Sequence, residues 1–192
     1  MVSPSPVPPY LRVVLVSACE KLSKICTILS SLMPMPVSEI ENREQVYKKY
    51  LPALTMEGDT AKGLIVFRTV CGVCHQYEGK YGKAFGPDLG SIRNREKASI
   101  MTDILNPNRS IAVKYDLWIV TKKNGEKLSG IMSSETSAAI TLNQLGGQHI
   151  TISRADIKMM ETAEASAMPV GLEASVPVKE MADLLAFLKN TD

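Results

Sequence analysis

The chain has 192 residues, enough for one ordinary domain with an insertion or for a domain and a smaller neighbour. Its 22 basic and 20 acidic side chains leave a formal charge of +2 without any block of like charge, which gives no indication of nucleic-acid binding. No stretch reaches the roughly 18 uncharged apolar residues that a membrane-spanning helix needs. The function must therefore be sought in local motifs.

Residues 1–38 are predicted to form a proline-rich lead-in followed by an amphipathic helix. Four prolines occur in the first nine residues, and apolar side chains then recur every three or four positions until Pro34. Ser38 and Glu41 have the spacing of a capping box, which predicts a linker helix within residues 39–57.

Two cysteines, Cys19 and Cys26, lie in this N-terminal apolar stretch. On one helix they would be about 10 Å apart along its axis, too far for a disulfide, so we interpret them as core thiols. Cys19 ends a lipoprotein-like Val-Ser-Ala-Cys run, but the apolar segment before it is too short for a normal signal peptide. Lipid anchoring at Cys19 is therefore not favoured, and no convincing signal peptide is predicted.

The run Cys-Gly-Val-Cys-His at residues 71–75 is predicted to end a helix that begins after Asp59. The apolar residues before it suit a helix or a buried strand equally, but the two cysteines and the histidine share a face only on a helix. A glycine-rich segment follows, in which backbone could approach a flat ligand closely. Asn94 is predicted to cap a further helix that ends at Leu105.

Residues 112–162 are predicted to form five short strands, a small antiparallel barrel-like module. Branched and aromatic side chains from Leu117 to Thr121 precede Asn124 and Gly125, a tight-hairpin signal. Helical character returns in the final segment, where residues 178–189 carry an apolar stripe. Residues 58–111 and 163–192 are accordingly assigned to one domain, and residues 112–162 to an insertion in it.

A Cys-x-x-Cys-His run is the attachment signature of c-type haem. Its two thiols, Cys71 and Cys74, can each add to a haem vinyl group while the imidazole of His75 turns onto the iron. A zinc site is a weaker interpretation because the chain has only two histidines and no second Cys-x-x-Cys. A thioredoxin-like redox pair would require an alternating β/α pattern, which is absent, and purely structural cysteines remain a third alternative.

A second iron ligand is predicted at Met168. Most of the ten methionines are expected to fill cores, and Met159, Met160 and Met181 fall in predicted strands or helices. Met168 instead precedes Pro169 in a predicted loop before the last helix. A methionine sulfur opposite histidine raises the potential of haem iron.

Several separated motifs together resemble a class I cytochrome c, and more closely the haem-binding domain of planctomycete and verrucomicrobial type. The resemblance covers residues 42–190. It is carried by Gly63 and Phe67, Cys71-x-x-Cys74-His75, Gly86-Pro87-Asp88-Leu89, residues 104–108, Glu135-Thr136, residues 166–172 and residues 183–188. It implies a mainly α cytochrome c fold with an inserted small antiparallel β-barrel-like module, α+β overall, preceded by N-terminal helices.

The resemblance also implies roles for individual residues. Cys71 and Cys74 would hold one covalent haem c, with His75 and Met168 as the axial ligands. The carbonyl of Pro87 would accept a hydrogen bond from the histidine ring and fix its orientation. Arg93 and Arg95 are candidates for the haem propionates. Gly63 and Phe67 would cross the terminal helix near Phe187.

The expected function is single-electron transfer with redox partner proteins, without a small-molecule substrate, a nucleic acid or an enzymatic reaction. One alternative is a five-coordinate haem sensor or peroxidase-like enzyme in which Met168 is not bound to iron. Another is a partner-docking module with a structural haem. Because haem is normally attached outside the bacterial cytoplasm, we expect a periplasmic or otherwise extracytoplasmic location. The chain is expected to be part of a larger multidomain protein.

Overall fold

A computed structural model describes residues 43–163 and 165–190 of the chain. The predicted N-terminal helix, the capping box at Ser38 and both Cys19 and Cys26 lie outside these residues. The helices are α1 (Arg43–Tyr50), α2 (Thr60–Val66), α3 (Lys97–Leu105) and α4 (Val178–Leu188). The strands are β1 (Gln76–Tyr77), β2 (Tyr81–Gly82), β3 (Leu117–Lys122), β4 (Lys127–Glu135), β5 (Ala139–Asn143), β6 (His149–Ser153) and β7 (Ile157–Thr162).

The prediction of a mainly α cytochrome c fold is wrong. The structure is α+β, with about 37% of the described residues helical, 24% in strands, and a five-stranded antiparallel sheet beside the four described helices. The physical reason is that the sheet has a hydrophobic core of its own, centred on Val120, Ile140, Leu142 and Ile152. The helices surround a second, separate core. The β segment is thus a main structural layer of the protein.

The helical core is centred on the crossing of α2 and α4. Gly63 on α2 lies so close to α4 that a Cβ atom there would be 2.0 Å from the carbonyl oxygen of Asp183. This close approach brings Phe67 into contact with Phe187, with ring centroids 5.5 Å apart, and Tyr77 stacks on Phe187 at 4.6 Å. The expected crossing of Gly63 and Phe67 near Phe187 is present, and it fixes the segment that leads into residues 71–75.

We expect Gly63→Ala to destabilise the protein by about 2 kcal/mol or more. Alanine gains about 1 kcal/mol of helix propensity over glycine, but its methyl group would overlap the Asp183 carbonyl and force the helices apart. Chemical denaturation measures the loss. The matched control is Ala61→Ser on the exposed side of the same helix, which should change stability by less than about 0.5 kcal/mol. Equal effects of the two substitutions would contradict the close crossing.

Helix α1 is attached to the segment that precedes α4. The buried Arg43 donates through Nη1 to Glu173 Oε1 at 2.6 Å and to the carbonyl of Leu105 at 3.2 Å. The hydroxyl of Tyr50 donates to the carbonyls of Glu173 and Val176, at 3.0 and 2.9 Å. Both side chains therefore tie residues 172–176 to the helical core.

The five-stranded sheet has the order β6-β5-β4-β3-β7 and is antiparallel throughout. Its two edge strands, β6 and β7, are consecutive in sequence and joined only by the 3-10 turn Arg154–Asp156. Such a connection spans at most about 14 Å, whereas the edges of a flat five-stranded sheet lie about 19 Å apart. The sheet must therefore curl strongly around its core, which Trp118 also contacts.

Local signals predicted the second hairpin of the chain but not every helix boundary. The hairpin at Asn124 and Gly125 is confirmed, since Gly125 has φ +87° and its N–H donates to Lys122 O at 2.9 Å. The expected cap at Asn94 is wrong, because α3 begins at Lys97. The chain before it is still turning, with Arg95 N–H donating to Ile92 O at 2.9 Å.

Candidate functional site

Residues 71–75 lie where the helical segment unwinds. Helix α2 passes into a π-helical turn, Phe67–Cys71, in which Gly72 N–H donates to Phe67 O at 2.6 Å. Cys74 and His75 then fold back in a turn, and both donate to the carbonyl of Cys71. The helix predicted to carry the whole motif therefore ends at its first cysteine. A π turn inserted at the end of an α-helix is frequent at functional sites.

The two motif thiols are unpaired and held un-ionised. Neither Cys71 nor Cys74 forms a disulfide. Burial raises the pKa of Cys71 to about 12, with a smaller contribution from Cys74, and burial also raises the pKa of Cys74. A thioredoxin-like pair would need one thiol with a lowered pKa to act as the attacking thiolate. The surroundings of both sulfurs disfavour that alternative.

The imidazole of His75 is oriented through one ring nitrogen. Its Nδ1 lies 2.8 Å from the carbonyl oxygen of Pro87, the contact that the resemblance implies. A carbonyl can only accept, so Nδ1 carries the proton of this hydrogen bond. Burial lowers the pKa of His75, and the bond to Pro87 raises it in part. In the neutral ring the lone pair is therefore on Nε2, the state in which histidine binds a metal ion.

The glycine-rich segment 82–87 wraps around the motif. Phe85 N–H and Gly86 N–H both donate to the carbonyl of Cys74, at 3.0 and 2.7 Å. A Cβ atom on Gly86 would lie 2.5 Å from Cε1 of His75, so the backbone packs directly on the imidazole. Only glycine permits this approach. The segment restrains the ring through two contacts, the packing of Gly86 on the ring and the hydrogen bond of the ring to the Pro87 carbonyl.

We expect Gly86→Ala to displace the His75 ring and break its hydrogen bond to Pro87. The added methyl group would overlap the ring, and relief requires either the ring or the segment to move. Ring 15N shifts in the haem-free protein report the result, because a released ring exchanges between its two tautomers. The control is Gly79→Ala, whose φ of +67° is also unfavourable but whose Cβ would meet no atom within 4 Å. A fixed Nδ1–H tautomer in both variants would contradict the packing.

Asp88 fixes the backbone directly after Pro87. Its Oδ1 accepts from the N–H groups of Glu78 and Gly90 at 2.8 and 2.7 Å, and its Oδ2 accepts from Gly79 N–H at 3.1 Å. Burial alone would raise the pKa of Asp88, but these three donors lower it below its usual value. The carboxylate stays ionised at neutral pH and anchors the end of the segment that faces His75.

Met168 lies in a separate loop, half-buried, between the sheet and the last helix. Its N–H donates to Ser166 Oγ at 3.1 Å, and Ser166 N–H donates to Asn108 Oδ1 at 2.8 Å. The loop is thereby tied to residues that follow α3. The described hydrogen bonds join Cys71, Cys74, His75 and Pro87 to one another but do not join Met168 to them, and its role as iron ligand stays a prediction.

Arg93 and Arg95, the candidates for propionate binding, are partnered by carboxylates. Arg93 Nη1 lies 3.0 Å from Glu78 Oε1, and Arg95 Nη2 lies 2.6 Å from Asp103 Oδ2. Both arginine side chains are roughly two-fifths exposed, at 39% and 42%. Their guanidinium groups lie at the surface after the wrapping segment, and their role toward a haem also stays a prediction.

The sequence does not predict the position of Asn143, at the end of β5, beside the motif. Asn143 is 8% exposed, and its Nδ2 donates to the carbonyl of Ala84 at 2.9 Å, inside the segment that wraps the motif. The sequence shows only a polar residue after an apolar strand, which is the ordinary pattern of a strand end. No local signal indicates that its partner lies 59 residues away.

Among residues 43–163 and 165–190, no group of three or more His, Cys, Asp or Glu side chains is placed to hold a metal ion. Nor does this part of the chain contain a helix long and apolar enough to cross a membrane. His149 lies exposed on the edge strand β6, as a strand residue.

Comparisons of the sequence with models of protein families and with curated proteins found no match.

Proposed function

We propose that the protein is a c-type cytochrome that binds one haem covalently and transfers single electrons to and from partner proteins. The observation that carries the proposal is the state of His75. Its Nδ1 is bonded to the Pro87 carbonyl, which leaves the Nε2 lone pair for a metal, and two unpaired thiols, Cys71 and Cys74, lie in the same turn. Zinc could also use two cysteines and this histidine, but among residues 43–163 and 165–190 no group of three or more His, Cys, Asp or Glu side chains is placed to hold it. A thiol-redox pair would need a lowered thiol pKa, whereas burial raises the pKa of both Cys71 and Cys74.

The residues present fit a covalently attached haem. The Cys-x-x-Cys-His order supplies two thioether sulfurs and one neutral imidazole from a single turn. Gly86 leaves the imidazole room between the wrapping backbone and the Pro87 carbonyl, so its orientation is set before any ligand binds. Neither thiol is consumed by a disulfide.

Each residue has a defined part in this proposal. Cys71 and Cys74 would hold the haem by thioether bonds, and His75 and Met168 would bind its iron. A haem held in this way supplies reversible one-electron exchange at its iron. Pro87 accepts the Nδ1–H of His75, which orients the ring and increases its donor strength. Arg93 and Arg95 would donate to the haem propionates.

No residue of the site is proposed to make or break a substrate bond. The protein's task is to hold the iron ligands in place and keep water from them, and to leave part of the haem accessible to a redox partner. Because covalent haem attachment takes place outside the bacterial cytoplasm, the proposal includes an extracytoplasmic location.

Visible spectra of the purified protein, ferric and reduced, test the proposal after expression with a haem-attachment system. A His/Met site predicts low-spin spectra in both states, with a weak sulfur-to-iron band at the red end of the ferric spectrum. A high-spin spectrum would instead support a five-coordinate haem sensor or a peroxidase-like enzyme. A protein that takes up no haem would contradict both.

A further inference from the structure

The side chain of Asn143 joins the curled sheet to the segment that wraps residues 71–75. Its Nδ2 donates to the Ala84 carbonyl at 2.9 Å, while its Oδ1 is buried without a hydrogen-bond partner. An unpaired buried acceptor costs free energy, because it has lost its water and gained nothing in return. An apolar side chain at this position would avoid that cost.

The sheet itself does not require an amide here. Asn143 pairs through its backbone with Ile131 on β4 and His149 on β6, and any residue could make these bonds. Gly130 on β4 lies close by, since a Cβ there would be 2.6 Å from the Asn143 carbonyl oxygen. The strand is therefore held firmly in place, and the amide projects from a rigid position. What the amide adds is its bond to Ala84.

Ala84 lies among the residues whose hydrogen bonds hold the wrapping segment against residues 71–75. The N–H of Lys83, the residue before Ala84, donates to Gly72 O at 3.1 Å. The next two residues donate to Cys74 O, and the third, Pro87, accepts from His75. A restraint on the Ala84 carbonyl therefore also restrains the Pro87 carbonyl, three residues further along the backbone, and the Pro87 carbonyl orients the imidazole of His75.

We propose that Asn143 is a positioning residue that holds residues 84–87 against the motif and thereby keeps the Pro87 carbonyl in line with His75 Nδ1. This gives the sheet a role in the site, since one of its strands sets the hydrogen bond of the histidine. The effect on iron rests on the proposed function, because a weaker bond at Nδ1 makes the imidazole a poorer donor to a metal.

The first test uses the haem-free full-length chain with Asn143→Leu. Amide hydrogen exchange at Phe85 and Gly86 should become roughly three- to tenfold faster, the factor by which loss of one neutral hydrogen bond shifts a local opening. The melting temperature should not fall, because leucine removes the unpaired oxygen. Asn143→Ala, which adds no atoms, covers the case in which leucine does not fit.

The matched control is Gln144→Leu. Gln144 is the next residue, and its side-chain amide donates to Ser129 O at 3.2 Å within the sheet. The Gln144→Leu variant should leave amide hydrogen exchange at Phe85 and Gly86 unchanged. If either Asn143 variant folds and leaves these two amides as protected as in the parent protein, the proposal is overturned.

The haem-loaded protein provides a second readout. Asn143→Leu should raise the midpoint potential, because a poorer imidazole donor stabilises ferric iron less, while Gln144→Leu should leave it unchanged. A parent protein that attaches no haem would defeat the proposed function but not the exchange result. Faster exchange with an unchanged potential would overturn the effect on iron and keep only the mechanical link.

Discussion

Replacing Cys71 and Cys74 by serine together is expected to abolish covalent haem attachment. A serine hydroxyl does not add to a vinyl group as a thiol does, so no thioether forms even if His75 still binds iron. After co-expression with a haem-attachment system, haem staining of a denaturing gel should show no signal above background for the double variant. The two sulfurs are the site's only proposed covalent links, so the expected effect is complete loss.

The chain offers a matched control in its other two cysteines. Cys19→Ser combined with Cys26→Ser removes the same number of thiols but leaves residues 71–75 intact. This variant should stain as strongly as the parent protein. Haem that stays on the chain after denaturation in the Cys71 and Cys74 double variant would refute the c-type assignment.

Met168→Ala should remove the weak red band of the ferric spectrum and lower the midpoint potential. The sulfur of methionine favours ferrous iron, and its loss leaves an open or water-filled position. The expected decrease is on the order of 0.1 V, a fraction of the roughly 0.8 V that axial ligands span. Spectroscopic titration against redox dyes measures it.

Met159→Ala is the matched control for this substitution. Met159 is 47% exposed on β7, where sequence reasoning placed it in a strand, and it should leave both the band and the potential unchanged. An unaltered spectrum in Met168→Ala would remove Met168 from the iron. A high-spin spectrum in the parent protein would have the same consequence and would favour the sensor or peroxidase-like alternative.

Short-range signals predicted part of the structure around the motif, although the helix expected to carry residues 71–75 ends at Cys71. Asp59 caps α2 as expected, accepting from two backbone N–H groups of the first turn. The contact between His75 and Pro87, 12 residues apart, is expected only from the resemblance. Met181, Leu184 and Leu188 are buried on α4, as their spacing predicts. The cap and the apolar stripe are each encoded within a single helix.

The fold class could not be predicted in the same way. Strand positions were visible, but their separate core at Val120 and Ile140 depends on how the strands pair and how strongly the sheet curls. The resemblance supplied an expectation of a mainly α protein, and the size of the β layer contradicted it. The periodicity of apolar residues shows which face of a helix or strand is buried, but it does not show which elements pack together into a layer.

Polar contacts between residues far apart in the chain also could not be predicted from the sequence. Arg43 and Glu173 pair across 130 residues, and Asn143 reaches Ala84 across 59. Each residue type is common at surfaces, so nothing marks these as buried partners. The division into residues 58–111 and 163–192 around an insertion at 112–162 likewise stays a prediction.

Covalent attachment of a haem to Cys71 and Cys74 can be tested by intact mass measurement of the denatured protein after expression with a haem-attachment system. We expect a single species heavier than the polypeptide by the mass of one haem. A spectrum that shows only the mass of the unmodified chain would contradict it.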